Sequence, residues 1–350
     1  MMLQAKLWPI PEEEMRHVLR MLFAGFWAMA LWGAPAGTAQ QPVKIRVSWV
    51  APVSNWASIW LEKKDLANHL GKSYTMEPVR YAWTPPMVTA LASGELEVAN
   101  IAYSTLGIAI GNAGIDDLRV IAHEFRDGVT GHYSQEYLVQ AEGTVKTERD
   151  LKRRVIGTNA AGSAVDVATR AMLRKAGLED KRDYTVLETP FPTMRAMLAE
   201  KKVDMIPGVL PFSLDPELRK IARPVFTQRE AIGETEMIIW AVRKPFIDQH
   251  RAAMVDFIED TLRIVRWYLD PANHNAAAEI ASKVTKQPAE RFGRLFTKAD
   301  YYRDPGMLPN LEALQKNIDM TTDLGFVKGK VDLARHVDLS IVKEAAGRIK

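Results

Sequence analysis

Gly162-Ser163 stands where a strand-like pattern gives way to a helical one, and Ser54-Asn55 occupies the same kind of junction earlier in the chain. Free backbone N–H groups at a helix start, with the positive end of the helix dipole behind them, make a natural anion site. Ser163-Ala-Val-Asp166 also matches a capping box, in which Ser163 is a plain cap and Asp166 already brings negative charge to the helix end. Two such starts placed alike in two lobes would face each other across a cleft. Tyr103-Ser104 and Val209-Leu210-Pro211 follow equivalent strands and point to the same cleft. Tyr103 there is a stacking or hydrogen-bonding candidate and, equally, a half-buried packing residue. Trp49, Trp56, Trp83, Phe125 and Phe191 lie at or just after strand ends, open to an apolar ligand or to the core, and Trp56 with Trp60 reads as a core face. Arg80, Arg126 and Arg195 are the candidate guanidinium partners for an anion, against a default of solvated surface charge.

Much other chemistry is excluded. The chain has no cysteine, which removes disulfides, thiolate metal sites, thiol nucleophiles and a lipid-modified N-terminal cysteine together. Its 7 histidines show no metal-ligand spacing, and no nucleophile elbow, zinc-protease, Walker or dinucleotide motif is present. A net charge of +3 with no basic run interleaved with aromatics gives no nucleic-acid footprint. The expectation is a binding protein with no catalytic residue, metal or cofactor.

The elements that must position these residues are repeated. Thr84 to Ser104 reads as a short helix, a stop at Gly94, an apolar strand from Leu96 to Ala102 and a polar turn. Shifted by 107 positions, Pro85 falls on Pro192, Met87 on Met194, Leu91 on Leu198 and Glu97 on Asp204. Around this pair the chain alternates: strands at 43–49, 76–81, 118–122, 154–158 and 184–187, helices at 56–70 and 163–176. That alternation predicts mostly parallel sheets covered on both faces. At 350 residues two domains are expected. Chain crossings near 137–143 and 235–242 would form a two-strand hinge. Beyond Pro245 the pattern is helical, over 246–269, 276–285, 288–296, 308–324 and 338–349.

Arg16, His17 and Arg20 precede the apolar run Met21–Trp32 and then Gly33-Ala-Pro-Ala-Gly-Thr-Ala39, the build of a secretory leader cleaved after Ala39 or Ala36, with Met15 an alternative start. The expected organisation is a signal peptide over 1–39, a first lobe over 40–140 plus 235–350 with C-terminal helices, and a second lobe over 141–234.

With the leader, Ala90-Leu-Ala-Ser-Gly-Glu-Leu-Glu97, Asp150-Leu-Lys152, Gly162-Ser163 and Lys202-Val-Asp204 in view, the chain resembles the periplasmic substrate-binding proteins of ABC importers for taurine, alkanesulfonates, nitrate and the thiamine pyrimidine precursor. The resemblance covers most of 43–270. It implies the type II periplasmic-binding-protein fold, two doubly wound α/β lobes on a two-strand hinge. It also implies a periplasmic protein without catalysis that closes on a small molecule and delivers it to an inner-membrane ABC permease with its cytoplasmic ATPase. The lack of cysteine predicts a soluble protein with no lipid anchor, a monomer is expected, and the expected ligand is a small organic anion, a sulfonate or carboxylate with aromatic ones included. The ligand contacts the resemblance implies come from Ser54-Asn55, Tyr103-Ser104, Gly162-Ser163-Ala164 and the loop after Met205, Pro207 and Gly208 among them, with Trp83 added here as an apolar candidate. Where the family carries a W-x-P signature this chain reads Pro207-Gly-Val-Leu-Pro211, so neither taurine nor nitrate is assigned. The alternatives are a ligand-sensing module that docks on a receptor and a binder of a pyrimidine. A related pyrimidine synthase would need pyridoxal phosphate, iron and the cysteine this chain lacks.

Overall fold

A computed structural model describes residues 41–349. The expected leader lies outside the described residues. The alternating segment Val43–Trp49 forms β1, followed by β2 (Tyr74–Arg80), β3 (Val98–Ala102) and β4 (Leu118–Asp127). The chain then lays down β5 (Glu136–Gln140), β6 (Val155–Thr158), β7 (Thr185–Glu188), β8 (Met205–Gly208) and β9 (Ala222–Thr227), and returns with β10 (Thr235–Arg243). These make two five-stranded sheets of orders β2-β1-β3-β10-β4 and β7-β6-β8-β5-β9. The orders correspond term by term. In each sheet one strand from the other half of the chain is inserted antiparallel, β10 between β3 and β4, β5 between β8 and β9. Starts of β3 at Val98 and β8 at Met205 reproduce the 107-residue shift read from the sequence.

The repeat owes its shape to local chemistry. Helix α1 (Pro85–Ser93) opens on two prolines and ends at Gly94, whose left-handed φ of 74° lets its N–H reach the last carbonyls. Every residue of β3 is buried, as befits a central strand covered on both faces. Glu97 accepts the backbone N–H of Arg46 at 2.8 Å, and its repeat partner Asp204 accepts that of Val155 at 2.9 Å. The acid of the motif therefore ties the third strand of each lobe to the first. Next come α2 (Tyr103–Gly111), α3 (Ala164–Lys175), α4 (Met194–Ala199), α5 (Pro216–Ile221) and α6 (Gln228–Ile232). The helical C-terminal region holds α7 (Lys244–Leu269), α8 (His274–Thr285), α9 (Leu311–Asp323) and α10 (Ser340–Arg348). The core of the first sheet centres on aromatics: Trp240 stacks on Phe257 at 5.7 Å, and Tyr74 meets the same ring edge-on at 5.4 Å.

Four expectations are corrected. Glu136–Gln140, assigned to the first lobe, pairs with β8 and β9 in the second sheet. The crossings therefore lie at residues 128–135 and 228–234, a few residues before the expected ones. The helix expected over 56–70 is two 3-10 turns, Trp56–Ser58 and Trp60–Leu66. Tertiary partners replace its ladder: Trp56 N–H donates to Glu124 at 2.7 Å, and Ile59 O accepts from Tyr268 OH at 3.0 Å. The helix expected over 288–296 is a single 3-10 turn, Ala289–Phe292.

Candidate functional site: the cleft between the lobes

The lobes touch through specific polar contacts. Ser54 Oγ donates to Leu210 O at 2.9 Å and Tyr103 OH to Ala164 O at 3.0 Å. From the first crossing, Tyr133 OH donates to Gly208 O at 3.3 Å, and Arg174 of α3 donates to Asp323 O of α9 at 3.0 Å. Between these contacts lie two neighbouring spaces.

The inner chamber, ≈ 70 Å³, is lined by Asn100, Phe125, Gln135, Asn159, Ser163 and Tyr301 among others, with no charged side chain among the described lining residues. Behind its wall Glu124 is fully buried and accepts from Asn55 Nδ2 at 3.1 Å and Asn100 Nδ2 at 3.0 Å. Burial raises the Glu124 pKa, with the Asn100 contact opposing. With no charged group among the described lining residues to pair with a ligand's charge, the chamber suits the uncharged part of a ligand. Gln135 is anchored through Oε1, which accepts from Tyr301 OH at 3.2 Å, while its Nε2 is buried without a partner among the described residues.

The outer vestibule is larger, ≈ 590 Å³, and differently furnished. Trp49 and Arg80 come from the first lobe, Phe191, Arg195 and Phe212 from the second, and Arg291 from the C-terminal region. Phe191 and Val209 line both spaces and so stand at the boundary between them. Arg195 and Arg291 share Asp215, at 2.9 and 3.4 Å, whereas Arg80 lies over the Trp49 ring at 5.4 Å. Three guanidinium groups against one carboxylate leave positive charge where the lobes meet solvent. The volume falls within the range of about 300–1,000 Å³ usual for small-molecule sites.

The residues singled out from the sequence are sorted by this geometry. Ser54, Asn55, Ser163 and Ala164 line the inner chamber, and Pro207 and Gly208 line the vestibule. Asn55 is engaged within its own turn: its Oδ1 accepts from the N–H groups of Val50 and Ala51 at 2.9 and 2.8 Å. Tyr103 and Ser104 are fully buried and line neither space, and the Ser104 hydroxyl has no partner among the described residues. Trp83 is half-buried and Gly162 makes a left-handed turn, and neither lines the cleft. The start of α3 is occupied by the protein's own charge. Gly162 N–H donates to Asp166 Oδ2 at 2.9 Å, Ser163 caps the helix, and Arg170 pairs with Asp166 at 2.9 Å. The expectation that a ligand's charge sits on this helix end is corrected for that reason. The guanidinium candidates divide: Arg80 and Arg195 reach the vestibule, while Arg126 pairs with Glu234 at 2.8 Å elsewhere. Gln135, Arg291 and Tyr301 were not anticipated. They come from the crossing segment and the C-terminal region, which carry no part of the repeat.

One group of metal-ligating side chains lies together among the described residues, His69, Asp256 and Glu259, outside both spaces. Its carboxylates are met by Arg348 at 2.9 Å and Arg263 at 2.8 Å.

Two α/β lobes of matching strand order, each completed by a strand from the other half of the chain, with a cleft between them, define a periplasmic-binding-protein fold. The chain belongs to the NMT1-like family, which matches over residues 38–282. Among curated proteins none matches it. Solved structures show the same fold at low identity. The alkanesulfonate-binding protein SsuA of Xanthomonas axonopodis pv. citri, bound to MOPS, is 17% identical, with 86% of this chain and 99% of that one covered and a TM-score of 0.69. The periplasmic nitrate-binding protein NrtA of Synechocystis PCC 6803 is 15% identical, with 88% and 89% covered and a TM-score of 0.68. The desulfurization enzyme DSZB shares the fold too, at 12% identity, 88% and 100% coverage and a TM-score of 0.62. Binding proteins and an enzyme are thus built on one architecture, and the site has to decide between them.

Proposed function

We propose that the chain is the extracytoplasmic solute-binding component of an ABC importer, whose lobes close on a small organic anion and deliver it to a permease in the inner membrane. The observation that carries this reading is the pairing of the two spaces: an outer vestibule with Arg80, Arg195 and Arg291 adjoins an inner chamber with no charged side chain among its described lining residues. A sulfonate or carboxylate head suits the guanidinium groups, which offer paired donors to planar or tetrahedral oxygens. An apolar or aromatic body suits Phe191, Phe125 and the boundary between the spaces. Family membership and the leader pattern support a periplasmic location, and no described helix is long and apolar enough to cross a membrane. A single copy working with a permease and its cytoplasmic ATPase is the arrangement proposed.

A second reading is favoured by one feature. Gln135 offers a buried, unpaired N–H to the uncharged chamber, as a neutral heteroaromatic such as a pyrimidine would require. A thermal-shift screen across sulfonates, aromatic carboxylates, pyrimidines and nitrate separates the two, because a ligand at 100 times its Kd stabilises by about 2.7 kcal/mol. Stabilisation by anions supports the first reading. Stabilisation by neutral pyrimidines alone replaces it with the second.

A further inference from the structure

A second groove, ≈ 740 Å³, opens beside the C-terminal helices and is separate from the vestibule. Arg266, Lys298 and Arg303 line it, with His132 and His274, and Asp270 is the one carboxylate among its described lining residues. Asp270 is engaged at the Ala272 N–H, 2.9 Å away.

Arg303 gives the groove its character. It is only 5% exposed, and its guanidinium lies over the rings of Trp56, Phe125 and Phe296 at 4.6, 5.4 and 5.6 Å. One nitrogen, Nη1, donates to Ser54 O at 3.0 Å. The other two, Nε and Nη2, are buried and have no hydrogen-bond partner among the described residues. The carboxylate of Asp300 is 3.6 Å from Nε, beyond hydrogen-bond reach, and its oxygens already accept from Phe296 and Tyr301 N–H groups at 2.9 and 2.7 Å. His132 Nδ1 is likewise buried and unpaired. Asp300 balances the guanidinium charge as an ion pair, but the two N–H groups stay unpaired, and leaving buried donors unmade is costly.

We propose that this groove is a second anion site, distinct from the cleft, in which Arg303 binds an oxoanion or the carboxylate of a small organic acid. Nε and Nη2 present two parallel N–H groups, the geometry that grips two oxygens of one anion. Lys298 and Arg266 at the exposed rim add attraction. The aromatic faces around Arg303 hold its guanidinium in place, so little freedom is lost when the anion arrives. Tyr301 lines both this groove and the inner chamber, and Arg303 holds the Ser54 carbonyl.

The test is calorimetric titration of the purified protein with inorganic sulfate, and separately with acetate, at fixed ionic strength set by chloride. Saturable binding that survives Arg80→Gln in the vestibule, weakens about tenfold in Arg303→Lys and falls severalfold in the double variant Arg266→Ala/Lys298→Ala is the expected result. Both residues of the double variant are exposed, so it decides the matter even if Arg303→Lys fails to fold. No saturable binding overturns the proposal. So does binding that Arg80→Gln abolishes and the rim variant leaves intact.

Discussion

Ser54 and Leu210 stand 156 residues apart, and the Ser54 hydroxyl donates to the Leu210 carbonyl at 2.9 Å, joining the first lobe to the second. Tyr103, which the sequence placed in the ligand's path, makes a second such link to Ala164. Both are neutral hydrogen bonds, each worth about 1 kcal/mol net.

Ser54→Ala removes one link and leaves the ligand-facing arginines untouched. A loss of about 1 kcal/mol from the closed state corresponds to roughly fivefold weaker ligand binding. Calorimetry on the variant reads this directly, and unchanged affinity would mean that the bond does not hold the lobes together.

Gly162 tests the fit of the lobes by volume. Its φ is +73°, and an added Cβ would meet Ile108 Cδ1 at 3.0 Å and Phe326 Cδ1 at 3.3 Å, both on the opposing lobe. Gly162→Ala therefore strains the turn by about 1–2 kcal/mol and wedges the interface. Expected together are a melting temperature lowered by a few degrees and a larger loss of affinity than in Ser54→Ala.

The repeated acids act on stability instead. Glu97 pairs with Arg46 through side chains that are 11% and 25% exposed, and Asp204 pairs with Arg154 at 29% and 38%. Glu97→Gln should cost about 1–2 kcal/mol in urea unfolding, and Asp204→Asn less, because solvent screens the more open pair. Ligand affinity should be unaffected in both.

Asp127 ends β4 where the chain leaves for the second lobe, and it accepts from Ser134 Oγ at 2.7 Å and Gln135 N–H at 2.9 Å. Burial pushes its pKa up to about 7, against those bonds and Arg229. A folded pKa above the unfolded value of about 3.9 means the native state binds more protons between the two. The group's contribution to stability is thus fully present below about pH 4 and is lost as pH rises through about 7. Asp127→Asn keeps an acceptor at this position and should flatten that part of the stability profile, as measured by urea unfolding from pH 4 to 8. An unaltered slope would place the ionisation elsewhere.

What the sequence made legible follows from local rules. The stop at Gly94, the cap at Ser163 and the 107-residue shift between β3 and β8 are short-range signals, and residue type alone sets each of them. Arg80 and Arg195 could be named as anion partners because they stand in elements whose pattern the sequence shows, the end of β2 and the helix α4. Arg291 and Tyr301 could not, since they reach the cleft from a helical region more than 80 residues downstream of the second lobe's β8. Asn55 and Gly162 show the opposite failure. Their loop positions were legible, but not that Asn55 would hold the N–H groups of Val50 and Ala51, nor that Asp166 would take the N–H of Gly162. Spacing places a side chain near a site; only the packed structure determines which partner claims it.

In the proposed function, guanidinium groups of the vestibule hold the charge of a small organic anion. Calorimetric titration of the protein and of Arg80→Gln with an aromatic sulfonate and an aromatic carboxylate tests it most directly. Arg80 is exposed and pairs with no carboxylate among the described residues, so the substitution spares the fold. Saturable binding to the unaltered protein is expected, weakened about tenfold or more in Arg80→Gln as a charge-assisted contact of about 1.5–3 kcal/mol is lost. Equal affinity in the two proteins, or binding of neutral compounds alone, would contradict it.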